Sequence, residues 1–485
     1  MTLTGIPSTR RLGLFQAEFA AVQASALVPL VNPPIVLAQK TSAGTATAGV
    51  VQLVATEEQA VDLFGAGSVA HHMCAAFLAN APGHELRCIA YGDESGATAA
   101  SKTIVASGTA TEAGTIYLRV AGRLVEVAVA VGDDSTDVAA AIEAALDAAV
   151  DELPVTAGVS SSTVTVTAKC KGTVGNQITL SLNALGPEGG EVLPAGVGVA
   201  LGGALLTGGA TNTAPATWVT ALGAEAYDVL VLQDTDSSLL DAIDAELVDR
   251  WDFDRALDGV AFAGKMDSAA DLATFGAGRL SRYLSTIGAP ESVGFLTPAY
   301  ELAAAYAGRA AASLAADPAA PLQGLALRGV WARFTPFTDT EQNTLARSGI
   351  ATLTSDRAST TITYEAVTSA TSAKAEDVQI PFSNSRFRRR MKNQVVLEFP
   401  RFKLADDDQP ISGGQLITTP SMIKAVIAGE YRRMVKEGLM QNADDFVSSL
   451  VVERNADYSD RVDVYCSPDL IDQLRVLAMR IGERA

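Results

Sequence analysis

All three histidines of the sequence, His71, His72 and His84, lie near Cys74 and Cys88. Thiolate and imidazole are ligands that Zn²⁺ prefers, and the pairs His71/Cys74 and His84/Cys88 have spacings that a helix could turn toward one metal. The second pair, however, spans the end of a predicted helix and the start of a predicted strand, and no further ligand cluster supports it. We therefore expect no metal site, and cysteines that are buried and reduced.

Residues 259–266, GVAFAGKM, come within one residue of the phosphate-binding loop G-x-x-x-x-G-K-[ST]. Met266 replaces the hydroxyl that would hold magnesium, and an apolar run separates the glycines where a nucleotide site needs exposed backbone N–H groups. The pattern instead predicts a strand that ends in a turn. Residues 65–70, GAGSVA, fit the loose dinucleotide-binding pattern, but they follow a predicted helix and so indicate a helix-to-helix turn. We expect no cofactor at either place.

Catalytic residues are equally hard to place. The sequence has no G-x-S-x-G elbow, and its histidines are confined to residues 71–84. A Ser–His–Asp triad would need that one segment to reach across domains. The residues therefore predict no catalytic site and no enzyme.

Two groups of basic residues stand out in an acidic chain. The first, RFRRRMK, places five cations within seven residues, and the second lies on a predicted helix. Such groups suit a docking face for an acidic partner, but they could equally form a solvated helix face whose arginines pair with Asp406–Asp408 or Asp444–Asp445. The candidate docking residues are Arg386, Arg388, Arg389, Arg390, Lys392, Arg432, Arg433 and Lys436.

Composition limits the partners of the whole chain. Its 485 residues exceed one ordinary core, so we expect several domains. The formal net charge of -19 argues against nucleic acid, whose phosphates need a cationic surface. No run of about 20 apolar residues predicts membrane insertion, and the first residues lack the order of a secretory signal, which favours a cytoplasmic origin.

Hydrophobic patterning predicts a multidomain protein of mixed α/β and α+β class. Residues 1–45 are predicted to form an extended N-terminal arm, because Pro7, Pro33 and Pro34 interrupt them. Residues 46–94 contain two short helices and a strand. Residues 95–212 change to period two around one helix, DVAAAIEAALDAAV, which predicts an inserted β-rich α+β domain that folds by itself.

The remaining sections differ in pattern. Residues 213–335 alternate apolar runs with helical segments, which predicts a middle α/β domain with parallel strands. Residues 336–470 predict a C-terminal domain, and residues 471–485 a terminal arm. In that arm, Leu474–Ile481 predicts a strand with two apolar faces, an edge that soluble proteins cover.

Several stretches resemble contractile phage tail sheath proteins, and in particular the Mu-like subfamily. In the C-terminal third they are LARSGIATLTSD, TITYEAVTSAT, FPRFKLADDDQPISGGQLITTPSMIKAVI, SLVVERN and DRVDVYCSPDLIDQLRVLAMRI. Upstream, FGAGSVAHHMCAAFLAN and IYLRVAGRLVEVAVAVGDDSTDVAAAIEAAL are also similar to that subfamily. The resemblance covers most of the chain, and its order argues against coincidence.

The resemblance implies a structural subunit that stacks as hexameric rings around a tail tube and contracts to drive the tube through the host envelope. It implies a C-terminal domain that lies innermost, an insertion that faces outward, and arms that join neighbouring subunits. The implied partners are further copies of the chain, the tail tube protein, and the baseplate and tail terminator proteins. The implied location is the virion, after assembly in the host cytoplasm.

On this resemblance the basic residues become candidates for the tube contact, and the terminal strand becomes a candidate connector between subunits. The candidate connector residues are Leu474, Val476, Leu477, Met479 and Ile481. The alternatives are another self-assembling shell or surface-layer protein and, in a different class, a hydrolase of the α/β section.

Overall fold

The structure is a computed structural model that describes residues 28–279, 281–291, 294–332, 336–355, 359–368, 376–410 and 414–481. The chain divides into two compact units. Among the described residues, the larger unit contains residues 31–385 and 472–481, and the smaller unit contains residues 28–30 and 386–471.

The larger unit begins with strands and helices that the sequence largely anticipates. They are β1 (Ile35–Gln39), β2 (Gln52–Val54), α1 (Glu57–Phe64), α2 (Val69–Asn80) and β3 (Leu86–Tyr91). Thr56 and Ser68 cap the two helices by accepting hydrogen bonds from backbone N–H groups of the first turn. The turn between α1 and α2 contains Gly65 and Gly67, which confirms the helix-to-helix interpretation of GAGSVA.

The predicted arm of residues 1–45 extends too far, because β1 is a fully buried strand hydrogen-bonded between two parallel neighbours. Its continuous apolar run is typical of a strand covered on both faces, and the two prolines before it mark the start of the strand rather than an arm. Residues 1–27 of the predicted arm lie outside the described residues.

Residues 95–212 form the predicted β-rich α+β section. Its elements are β4 (Ser101–Gly108), β5 (Gly114–Val120), β6 (Arg123–Val129), α3 (Ser135–Ala148), β7 (Val155–Ser160), β8 (Thr163–Ala168), β9 (Leu180–Leu182) and β10 (Val197–Leu201). Two antiparallel sheets result, in the orders β10-β4-β8-β7 and β6-β5-β9. The helix buries Val138, Ile142 and Leu146, three residues at helical spacing on the face that the sequence predicts.

This section shares its core with the rest of the larger unit. Val166 in β8, Tyr300 and Phe77 belong to one continuous cluster of buried apolar residues. Arg123 also bonds Glu301 at 2.9 Å across the same boundary. The prediction that the section folds by itself therefore conflicts with the packing.

The rest of the larger unit builds the parallel sheet. The elements are α4 (Pro215–Leu222), β11 (Val229–Leu232), α5 (Ser237–Trp251), β12 (Val260–Met266), α6 (Ala269–Ala277), β13 (Leu284–Ala289), α7 (Ala299–Ala316), β14 (Ala326–Leu327), α8 (Asp339–Arg347), β15 (Ile350–Ser355), β16 (Thr360–Tyr364), β17 (Ala366–Val367) and β18 (Glu376–Asp377). The nine-stranded order is β14-β16-β15-β13-β12-β11-β1-β3-β2. Its six central strands, from β15 to β3, are parallel, as predicted for the middle section.

The GVAFAGKM segment is strand β12, which confirms the strand interpretation. A Cβ on Gly264 would lie 2.2 Å from the carbonyl oxygen of Ala299, so this glycine permits the close approach of α7 to the sheet.

The boundary predicted at residue 336 is wrong. Strand β15 pairs in parallel with β13 and so extends the central sheet, and the larger unit continues to Ser385. A helix followed by a hairpin has the same sequence pattern in either unit. Only the long-range pairing with β13 assigns this one to the larger unit.

The smaller unit is built on two long helices. Its elements are the part of α9 (Gln379–Glu398) from Arg386 onward, β19 (Lys403–Leu404), β20 (Ile417–Thr418), α10 (Pro420–Lys436), α11 (Ala443–Ser449), β21 (Val451–Arg454) and β22 (Val462–Tyr465). Tyr431 and Phe446 stack with ring centres 3.6 Å apart at the centre of its core. Residues 472–481, here called the terminal segment, contain no strand.

Candidate assembly surfaces

Most of the arginines on α9 are engaged within the smaller unit. Arg389 is buried and donates to the carbonyl oxygen of Leu30. Arg390 donates to buried Glu430 at 2.7 Å and also pairs with Glu437. Burial alone would lower the pKa of Arg390, but the bonds to Glu437 and Glu430 outweigh it and raise that pKa. These contacts give the centre of the cluster a structural role.

Arg386 and Arg388 are half-buried, whereas Lys392 is exposed. Burial, followed by the charge of Arg389, lowers the pKa of Arg388. Of the five cations predicted on this helix, Lys392 alone is classed as exposed in the described structure.

The second basic group is more accessible. The last turns of α10 expose Arg432, Arg433 and Lys436. Cations at this position also interact favourably with the negative end of the helix dipole. Arg433 pairs with Glu430 at 3.1 Å while its side chain remains 62% exposed. This end of α10 presents the most exposed positive charge among the candidate residues.

The N-terminal residues of the described chain run along α9. The side chain of Asn393 accepts a hydrogen bond from the backbone N–H of Val28 and donates one to its carbonyl oxygen, both at 2.8 Å. A single amide side chain thus bonds both backbone groups of Val28, as a neighbouring strand would. No sequence pattern indicates this role of Asn393.

Strands β21 and β22 form a hairpin that pairs with no other described strand. Val452 packs against the core, whereas Val451, Val464 and Tyr465 are exposed. Both outer edges therefore carry unpaired strand backbone within the described part of the chain, which is an arrangement that favours addition of another strand.

The terminal segment exposes the five predicted connector residues, with side chains between 74% and 81% accessible. Arg475 behaves differently, because its side chain is 17% exposed and pairs with Glu365 and Asp377. The strand predicted for Leu474–Ile481 is not formed within the described chain. The apolar run contains two arginines, Arg475 and Arg480, and the sequence alone does not indicate which of them makes a buried contact.

His71 and His72 are buried in the larger unit, and the ring of His72 lies beside Arg123. No group of three potential ligands occurs among the described residues. His71 accepts a hydrogen bond from the N–H of Gly67, and the ring of His72 lies 2.6 Å from the guanidinium of Arg123. Burial, and then the charge of Arg123, hold the pKa of His72 well below its usual value. His71 thus bonds to the backbone and His72 contacts an arginine. Neither of these two contacts pairs a ring with a serine hydroxyl, as a catalytic triad would need.

A cavity of about 490 Å³ lies beside this cluster in the larger unit. Its charged lining residues include Arg123 and Glu301, which neutralise each other at 2.9 Å. Glu57 and Arg328 also line this cavity. No helix among the described residues is long and apolar enough to cross a bilayer.

Solved structures of sheath proteins resemble the chain at low sequence identity. The sheath tail protein of Desulfitobacterium hafniense gives a TM-score of 0.49 at 12% identity, covering 95% of this chain and 97% of that one. The sheath tail protein of Listeria innocua gives 0.48 at 13% identity, covering 91% and 93%. The helical sheath of the anti-feeding prophage in its contracted state gives 0.47 at 11% identity, covering 98% and 100%.

Sequence comparison identifies the family. A family model described as the phage tail sheath protein central domain matches residues 208–369, and one described as the phage tail sheath C-terminal domain matches residues 384–482. The Mu-like prophage FluMu tail sheath protein of Haemophilus influenzae is 32% identical over 493 residues, covering 99% of each chain. Identity at this level over the full length establishes that the chain belongs to the phage tail sheath family, which is a structural family and not an enzyme family.

Proposed function

We propose that the chain is the subunit of a contractile tail sheath. Its copies stack as hexameric rings around a tail tube and contract to drive that tube through the host envelope. The observation that carries this proposal is the terminal segment, whose apolar side chains are exposed in the single chain. An apolar segment of this kind is a liability unless another molecule covers it.

The connection between subunits would run from this segment to the hairpin β21–β22 of a second copy. Residues Val476, Leu477, Met479 and Ile481 would add as a strand beside one of the open hairpin edges. Backbone hydrogen bonds supply the affinity in such an addition, and alternate side chains set its register. A flexible link of this type keeps subunits joined while their domains rotate during contraction.

The tube contact would lie on the smaller unit. Lys392, Arg432, Arg433 and Lys436 are its best candidates because they are exposed, whereas Arg389 and Arg390 hold the unit together. Exposed charge pairs are individually weak and easily exchanged, which suits a sheath that holds the tube and then releases it. The section 95–212 would face outward.

As part of the virion, the sheath would be assembled in the host cytoplasm and would meet the baseplate at one end and the tail terminator at the other. Self-assembly of the purified chain is the property to test.

Truncation after Arg475 tests the connector. It removes Val476, Leu477, Met479 and Ile481 but keeps Asp469 and Leu470, which bond to Gln441 in the smaller unit. We expect a folded, soluble chain that no longer forms cylinders in negative-stain micrographs. The double substitution Leu477→Glu and Ile481→Glu should give the same result with the segment retained. Normal cylinders from both variants would contradict the connector.

A further inference from the structure

A buried carboxylate in the larger unit receives the arginine of the terminal segment. Glu365 is fully buried and accepts hydrogen bonds from the N–H of Leu322 at 2.8 Å, from Gln379 Nε2 at 2.6 Å and from Arg475 Nη2 at 2.7 Å. Because a buried carboxylate is costly without a cation, this site is matched to the guanidinium.

Two further groups fix the orientation of that guanidinium. Asp377 Oδ2 lies 3.1 Å from Arg475 Nη2, and its other oxygen accepts a hydrogen bond from the hydroxyl of Tyr364 at 2.6 Å. The guanidinium carbon lies 5.0 Å from the centre of the Tyr364 ring. Burial alone would lower the pKa of Arg475, but Glu365 and Asp377 raise it, so the side chain stays charged. We call Glu365, Asp377 and Tyr364 the socket.

The neighbours of Arg475 reverse the usual order of burial. Leu474 and Val476 are 78% and 79% exposed, whereas the charged residue between them is largely buried. Gln473 adds a polar contact by donating to the carbonyl oxygen of Ala319 at 3.1 Å. A segment that completed its own core would bury the apolar residues instead. Polar contacts hold this segment and leave its apolar residues available.

We propose that Arg475 is a positioning residue that fixes the root of the terminal segment on its own subunit, so that residues 476–481 reach a second copy from a set point. This inference rests on the proposed connector function. Six extended residues span about 20 Å, so a fixed root restricts the connector to a neighbour within that distance. Holding the root also raises the effective concentration of the connector at that neighbour.

The first test compares Arg475→Ala with Arg480→Ala, an exposed arginine on the same segment, in the full-length chain. Limited proteolysis of the unassembled subunit measures attachment. We expect Arg475→Ala to raise the cleavage rate within the segment by about ten-fold or more, since it removes one partner of a buried charge pair, and Arg480→Ala to leave it unchanged. Equal cleavage rates would overturn the anchor.

A double variant, Arg475→Met with Glu365→Gln, guards against a loss of stability caused by the unpaired carboxylate. It should be folded by circular dichroism, release the segment as Arg475→Ala does, and form cylinders more slowly than wild type. Faster assembly would overturn the proposal, because it would mean that the socket restrains the segment from reaching a neighbour.

Mixing two variant chains shows whether Arg475 binds the socket of its own subunit or that of a neighbouring subunit. Arg475→Ala retains its socket, and the chain with Glu365→Gln and Asp377→Asn retains its arginine. If each arginine stays on its own subunit, a mixture of the two assembles no better than either alone. Restored assembly in the mixture would overturn the proposal by showing exchange between subunits. Failure of the wild-type chain to form cylinders would count against the proposed function, while the proteolysis result would still decide the anchor.

Discussion

Substitutions at Arg390 and at Arg432 distinguish a structural role from a docking role of the basic residues. Arg390 is 15% exposed and contacts Glu430, which is 5% exposed, together with the half-exposed Glu437. Breaking a buried charge pair costs about 3–5 kcal/mol, and an exposed pair contributes about 0–1 kcal/mol. Arg433 continues to neutralise Glu430 at 3.1 Å, so we expect Arg390→Ala to destabilise the smaller unit by about 2 kcal/mol.

The assay must report on the smaller unit alone. All three tryptophans, Trp218, Trp251 and Trp331, lie in the larger unit, so fluorescence would miss the change. Hydrogen exchange of the α10 amides in the full chain reads it directly, and about 2 kcal/mol corresponds to exchange about 30-fold faster.

The matched variant, Arg432→Ala with Lys436→Ala, removes exposed cations and should leave exchange nearly unchanged. It should instead weaken co-sedimentation with tail tubes, while Arg390→Ala chains that remain folded still co-sediment. Unchanged α10 exchange together with lost tube binding in Arg390→Ala would show that Arg390 docks the tube and does not stabilise the smaller unit.

Three further predictions concern the larger unit. Gly264→Ala places a methyl group against the backbone of Ala299 and should lower the free energy of unfolding by about 2–3 kcal/mol, measured by thermal denaturation. Gly158→Ala, with no atom near its added Cβ, should lower it far less. Equal losses of stability would contradict the close packing of α7. Burial keeps His72 neutral in the folded chain, so below the unfolded pKa near 6.5 the unfolded chain binds more protons, and stability decreases as the pH is lowered, by up to about 1.4 kcal/mol per pH unit; His72→Gln should flatten this slope, and an unchanged slope would exclude His72 as its source. Deleting residues 95–212 opens the shared core and should give insoluble protein; a soluble chain that forms cylinders would instead support an independent insertion.

Local signals predicted the local elements well. Helix α3 follows from its apolar spacing and from the acidic cap at Asp134, and β12 follows from an apolar run that excludes a phosphate loop. Both depend on residues close together in the chain, where periodicity and capping act.

The elements that the sequence places wrongly depend on partners that lie far away along the chain. The sequence pattern places β1 in an arm because its neighbours in the sheet, β3 and β11, lie far along the chain. It places β15 in the wrong unit for the same reason. The sequence shows the basic cluster but not which of its members are buried. That Arg390 pairs with Glu430 while Lys392 is exposed depends on how α9 and α10 pack. The socket for Arg475 joins residues about one hundred positions apart, which no spacing rule reaches.

The most direct measurement is a cryo-electron microscopy reconstruction of the purified full-length chain assembled with tail tubes. We expect hollow cylinders of six-membered rings, with the smaller unit facing the tube and residues 476–481 paired to β21 or β22 of a neighbouring copy. Flat lattices, or cylinders in which residues 476–481 fold back onto their own subunit, would contradict it.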